Sequence, residues 1–246
     1  MSSSRVIALC AILAVSFSAC GKDVASPAPA TLTGTVVAFD AWGNRLNDFS
    51  GVDITVDGYS SHAMTDPSGS WKLDGVPSGT HDVTFAKAGF GTMHDLRLNV
   101  AAPSTDAGVT TVAQAPFQQA LIDSIHIVTR SGSDVYLVDG HLSAAPPANA
   151  KIGGTVALFG KTNSVSTDVT SFVAWGIGID ITGKASTFSI SLPASVLRPS
   201  FAPGEQVYVA AYATSAICGC YNEPLTSRPI FTTAGPRSNV VTATAK

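Results

Sequence analysis

Val52-Asp53-Ile54-Thr55-Val56 is the stretch on which the fold turns. Apolar and polar residues alternate with a period of two, so a strand built from them gives one face to a core and the other to water. Asp57-Gly58, a hairpin-type pair, ends it. The same pattern continues in both directions. Upstream, Leu32-Thr33-Gly34-Thr35-Val36-Val37-Ala38-Phe39 is a strand candidate, and residues 40–47, with Gly43-Asn44, form a turn. Downstream, residues 62–65 lead into Asp66-Pro67-Ser68-Gly69, where Pro67 presets φ and Gly69 accepts a positive one. Trp71-Lys72-Leu73 returns, residues 75–79 turn again, residues 81–85 alternate, and residues 96–100 supply a last strand. Asp66 is expected to accept backbone N–H bonds in its turn. Trp71 is expected to fill a core with its indole N–H partnered.

Gly34-Thr35-Val36, Val52-Asp53-Ile54-Thr55-Val56, Thr65 through Asp66 and Gly69 to Trp71, Gly75-Val76-Pro77-Ser78-Gly79 and Lys87-Ala88-Gly89-Phe90 follow one another in a telling order. Together they resemble the carboxypeptidase regulatory-like domain. That resemblance implies a transthyretin-like β-sandwich of about seven strands over residues 31–100. It is a likeness to the accessory domain beside a carboxypeptidase and not to the zinc-binding catalytic one. The roles it implies are structural spacing, folding assistance or weak surface recognition.

Residues 101–119, rich in Ala, Thr and Pro and poor in periodicity, read as a linker or an edge passage. Strand candidates then recur at 122–129, 134–142, 155–160, 171–181, 187–192, 206–214, 230–233 and 239–244. Turn clusters such as Ser131-Gly132-Ser133-Asp134 and Pro146-Pro147 separate them, and residues 193–197 fit one helical turn. Short strands with hardly any helix indicate a second sandwich over residues 120–246. Residues 205–212 and 238–244 resemble the last two strands of an immunoglobulin-like or fibronectin type III-like module, which implies a binding or spacer role and names no ligand. The expected fold class is therefore all-β: two β-sandwich domains after a lipoprotein signal peptide.

The chain opens with one positive charge, Arg5, and then an uncharged apolar run from Val6 to Val15. That run suits a signal-peptide core and is too short for a bilayer about 30 Å thick. Phe17-Ser18-Ala19-Cys20 resembles the lipobox of bacterial lipoproteins, with Phe17 where Leu is usual. The resemblance implies a signal peptide at 1–19, acylation of Cys20 and a tether at 20–30. Each buried acyl CH₂ adds about 0.8 kcal/mol, so several chains hold the protein at the membrane. Gly21, rather than Asp, after the cysteine favours the outer membrane where the host has two. The competing reading is an ordinary signal peptide that leaves Cys20 free.

Charged residues make up 13% of the chain, against roughly 25% in soluble globular proteins. A net charge of −3 gives no basic footprint, which argues against nucleic acid as a partner. No nucleophile elbow and no phosphate loop leading into a helix occurs in the sequence, and the acids fall mostly in turns. The five histidines, 62, 81, 94, 126 and 141, are dispersed. No catalytic residue, metal site or cofactor is expected.

Cys10 leaves with the signal peptide and Cys20 takes lipid, so Cys218 and Cys220 remain of the four cysteines. Outside the cytoplasm they are candidates for a disulfide with each other; metal ligation and redox or intermolecular chemistry are the alternatives. They sit in a loop, 215–229, whose Tyr221, Glu223 and Arg228 are candidate binding residues, unless the loop is merely a decorated hairpin. The expected function is that of a noncatalytic cell-envelope lipoprotein that binds or positions a glycan, cell wall or envelope protein. A structural spacer in an envelope complex is the alternative, and an unrecognised hydrolase a more distant one. A surface groove lined by Trp42, Trp71 or Trp175 would favour carbohydrate; burial of all three would favour the spacer.

Overall fold

The computed structural model describes residues 27–180, 183–217, 220–224 and 227–246. The expected signal peptide, Cys20, most of the tether, Cys218 and the side chain of Cys220 lie outside these residues. Among the described residues, no helix is long and apolar enough to cross a membrane.

Seven strands make the first sandwich. β1 (Pro29–Phe39), β4 (Ser70–Pro77) and β7 (Ser104–Ala113) form one sheet in the order β4-β1-β7. β2 (Asp53–Val56), β3 (His62–Met64), β5 (Gly79–Ala86) and β6 (Met93–Val100) form the other, ordered β3-β2-β5-β6. Ile54 and Val56 of the alternating stretch point into the shared core, where Leu32, Val36, Trp71 and Phe85 meet them. The Trp71 and Phe85 rings meet edge to face, with centroids 5.8 Å apart.

Local chemistry holds the turns as expected. Asp66 accepts N–H bonds from Ser68 at 2.8 Å and Ser70 at 3.0 Å. Gly69 has φ +88°, and a Cβ there would lie 2.0 Å from the Val36 carbonyl oxygen, so no other residue fits. Buried Thr65 donates its hydroxyl to the Phe49 carbonyl and accepts the Val52 N–H, tying the turn to β2.

Three details differ from the sequence reading. Residues 75–77 belong to β4 rather than to a turn, because Val76 is fully buried and pairs with Ala30. The passage 101–119 contains β7, which lies parallel to β1 over Thr31↔Ser104 to Phe39↔Ala113. Its polar first half, an edge exposed to water, hides the strand from any periodicity test, and a register shift interrupts it. Trp71 is 5% exposed, yet its indole nitrogen has no hydrogen-bond partner among the described residues. The ring instead packs on Gly34, where a Cβ would come within 2.8 Å of it.

The second sandwich pairs β8 (Ala120–Arg130), β9 (Ser133–Leu142) and β12 (Thr187–Pro193), ordered β12-β9-β8, with a larger sheet. That sheet contains β10 (Gly153–Gly160), β11 (Ala174–Asp180), β13 (Gln206–Thr214) and β16 (Val240–Thr244), ordered β11-β10-β13-β16. One helical turn, α1 (Ala194–Leu197), follows β12 where residues 193–197 suggested it. β13 and β16 pair antiparallel, as the expected last two strands of an immunoglobulin-like module would.

Tyr136, Phe159, Ile190 and Val209 fill the space between the sheets. A second apolar cluster, with Val156, Leu158, Phe172, Tyr212 and Phe231, covers the outer face of β10 and β13. β10 is consequently buried at every position. A hairpin of β14 (Cys220–Asn222) and β15 (Pro229–Phe231) belongs to this outer layer through Phe231.

Candidate site at the junction of the two sandwiches

β1 and β7 run in the same direction and end side by side, at Phe39 and Ala113. The segments that follow them therefore emerge together at one end of the first sandwich. After β1 comes the turn 40–44. Asp40 Oδ1 accepts N–H bonds from Trp42 at 2.9 Å and Asn44 at 2.8 Å, and Oδ2 accepts one from the Asn44 side chain at 2.8 Å. That turn projects Trp42 toward the second sandwich, where it packs with Ala41, Ala150 and Leu142 and is 6% exposed. Its carbonyl accepts the N–H groups of Lys151 at 3.0 Å and Ile152 at 3.1 Å. Ring and main chain together bolt the two sandwiches to one another.

After β7 comes Pro116-Phe117-Gln118-Gln119, anchored by the Gln114 N–H on the Phe39 carbonyl at 3.0 Å. Phe117 is 78% exposed and Gln118 is 1% exposed. Both line a cleft of about 410 Å³, with Trp42, Gln114, Asp40 and Pro147 completing most of its wall. The Gln118 Oε1 is buried and has no hydrogen-bond partner among the described residues. On the other side of Trp42 lies a cleft of about 270 Å³ that includes Phe188, Leu142, Thr187 and Asp180. Trp42 is thus a partition between two hollows, each mixing aromatic surface with a few polar groups, as small-molecule sites do.

The residues proposed from the 215–229 loop are engaged within the chain. Tyr221 packs against His94 of the first sandwich in a tilted contact, with ring centroids 5.0 Å apart and the planes at 52°. Burial, and then the nearby Glu223, push the Tyr221 hydroxyl above the usual tyrosine range. Burial pushes the His94 imidazole below the ordinary histidine value, with Asp82 opposing. The Glu223 N–H donates to the Arg228 carbonyl at 2.8 Å. Arg228 donates from Nη1 to the carbonyls of Val169 and Phe172, each at 2.6 Å, and its guanidinium lies over the Phe172 ring. Arg228 therefore pins the stretch 169–172 to the outer layer. The expected Cys218–Cys220 bridge lies outside the described side chains.

Of the three tryptophans, Trp71 is core, Trp175 is half-buried against the outer cluster, and Trp42 walls the two clefts. Three His–Asp pairs stand on open strand faces: His62 with Asp53, His126 with Asp139, and His141 with Asp123. Among the described residues, no three His, Cys, Asp or Glu side chains converge as metal ligands. Phe117 and Gln118 were not singled out in the sequence. The signal was present, since Phe117, flanked by Pro116 and two glutamines, is the one aromatic residue in the passage 101–119.

No family model matches the chain. No curated protein matches it. Among solved structures it is similar to a DUF3823 family protein from Parabacteroides merdae, with 15% identity over 88% of this chain and 98% of that one and a TM-score of 0.31. It is also similar to a type II cohesin–X-dockerin complex from Acetivibrio cellulolyticus, with 18% identity and a TM-score of 0.31; that match covers 35% of this chain and 58% of the other. The major pilin subunit of Bacillus cereus gives 10% identity, coverage of 89% and 70%, and a TM-score of 0.30. Likeness at this level carries no ligand across, and the chain's role has to be read from its own surface.

Proposed function

We propose that the chain is a noncatalytic cell-envelope protein, held at the membrane by lipid on Cys20, that binds a surface partner at the junction of its two sandwiches. On this reading the first sandwich is a carboxypeptidase regulatory-like spacer and the second an immunoglobulin-like module. The partner is a glycan, the cell wall or an envelope protein. The observation that carries the reading is the pair of clefts around Trp42, with Phe117 standing 78% exposed at the rim of the larger one. A lone exposed aromatic beside a concave, partly polar surface is where recognition is expected.

The spacer reading has its own support in the depth of Trp42 burial and the main-chain bonds that lock the junction. Photo-cross-linking of the full-length protein in intact cells separates the two. A benzophenone side chain at position 117 is compared with one at Met64, which is 60% exposed on β3. Adducts confined to position 117 are expected, and benzophenone reports sugar C–H bonds as well as protein. Equal labelling at the two positions, or none at either, would return the protein to the spacer class.

A further inference from the structure

We infer that β11 is a docking edge: two copies of the chain pair antiparallel along it, about a two-fold axis, and join their larger sheets into one. The inference stands apart from the junction reading above.

An edge strand leaves alternate main-chain N–H and C=O groups without a strand partner, a template for another extended chain. Folded proteins blunt such edges with charge, bulges, short strands or cover. The other edges of the two sandwiches carry these devices. β3 has three residues, and β4 presents the exposed Lys72–Asp74 ion pair. β6 and β7 are each interrupted by a register shift and carry charge, Arg97 in one and Asp106 in the other. Between β8 and β16 the Asn239 amide accepts the Ile122 N–H at 2.8 Å and donates to the Ile122 carbonyl at 2.9 Å. β12 lies close beneath β11. The Ser191 and Ser189 carbonyls come within 3.5 and 3.9 Å of where a Cβ would stand on Gly176 and Gly178.

β11 has no such protection. It pairs with β10 from Asp180↔Gly153 to Ala174↔Phe159 without a shift, and with no second strand among the described residues. From Ala174 to Ile179 it holds no charge and no proline. The outer apolar layer covers Trp175 but stops short of Ile177 and Ile179, which are 50% and 58% exposed. Two aliphatic side chains stand in water on an unguarded strand edge, where an interaction surface is expected.

The same strand is the occupant with matching chemistry. A two-fold axis through Gly178 sets Ile177 of one copy beside Ile179 of the other, on the side of the sheet that the outer layer leaves open. Asp180 then falls opposite Gly176 of the second copy, so like charges do not meet. On the other side of the sheet, Gly176 and Gly178 bring no side chains to obstruct the approach. The complementary edge is also present at the protein's own concentration. Pairing of this isologous kind closes at two chains and leaves neither β11 edge open. One strand per copy is a small interface, so association depends on concentration.

The test is sedimentation equilibrium of the full-length protein in density-matched detergent micelles, from dilute to concentrated solution. The protein mass should rise from one chain to two, and amide hydrogen exchange along β11 should slow as it does. Ile177→Lys and Ile179→Lys should each hold the protein at one chain, with the melting temperature of the dilute sample unchanged. Ile179→Thr, which keeps a β-branched side chain, should weaken association without disturbing the fold. Met64→Lys, at a position 60% exposed on β3, should dimerise like the wild type. The inference fails if the wild type stays at one chain throughout, if both lysine variants still dimerise, or if exchange along β11 is the same in the dimer. Photo-adducts from position 179 in intact cells to another protein alone would give the edge to that protein's strand and overturn self-pairing. Adducts at position 117 bear on the junction and leave this inference untouched.

Discussion

The two sandwiches solve the same packing problem with different numbers of layers. The first has one core, and the outer faces of its sheets meet water: β2 reads intermediate, buried, exposed, buried along Asp53–Val56. The second adds an outer layer over one sheet, so β10 is buried on both faces and reads as the unbroken run Thr155-Val156-Ala157-Leu158-Phe159. Alternation in a strand therefore counts covered faces. Where it is lost, something lies on the far side of the sheet. Here that cover is the stretch around Phe172 and the β14–β15 hairpin, and Arg228 holds the two together.

The largest expected effect tests whether the sandwiches are independent. Phe85→Ala in the first core and Phe159→Ala in the second each remove a fully buried ring, at a cost of about 3–5 kcal/mol. Scanning calorimetry should show each substitution lowering a different transition. A single transition lowered equally by both would mean that the Trp42 bolt makes the pair one cooperative unit.

A smaller effect tests the outer layer. Arg228→Met removes two charge-assisted bonds to main-chain carbonyls and should cost about 1.5–3 kcal/mol. The loss should fall on the second sandwich alone. An unchanged melting profile would show that the outer cluster holds without its arginine.

The smallest effect concerns the seam where the hairpin meets the first sandwich. Burial lowers the His94 pKa from its ordinary 6.5, so the unfolded chain binds a proton there more readily than the folded one. The stability contributed is complete above about pH 6.5 and is lost as pH falls through the folded-state value. Melting temperature should therefore drop more between pH 7.5 and 5.5 in the wild type than in His94→Gln. Parallel curves would mean that the Tyr221–His94 contact does not sense the proton.

Most of the architecture was legible because it is written in side-chain alternation and turn residues. β13 was read to the residue, and Asp66 was read with its turn chemistry. β7 was not, because Ser104, Asp106 and Thr110 sit on an exposed edge and its partner β1 is 65 or more residues upstream. β14 was missed for a related reason, since three residues are too few to show a period. The site was half legible. Trp42 was named as a possible groove residue, but Phe117 and Gln118 become neighbours of Trp42 only through the parallel pairing of β1 with β7. That pairing is a long-range fact, and no local pattern encodes it.

The parallel pairing also sets how the molecule carries force. If lipid on Cys20 holds the N-terminus as proposed, tension enters the first sandwich at Pro29, the start of β1, and leaves toward the second sandwich at Ala113, the end of β7. The two points lie at opposite ends of a ladder about 30 Å long at roughly 3.3 Å per residue. Pulling slides β1 against β7 along their length and loads the rungs together, where a hairpin pulled from its open end would lose them one after another. The first sandwich is built as a strut that such a pull would load in shear, from the start of β1 to the junction with the second sandwich.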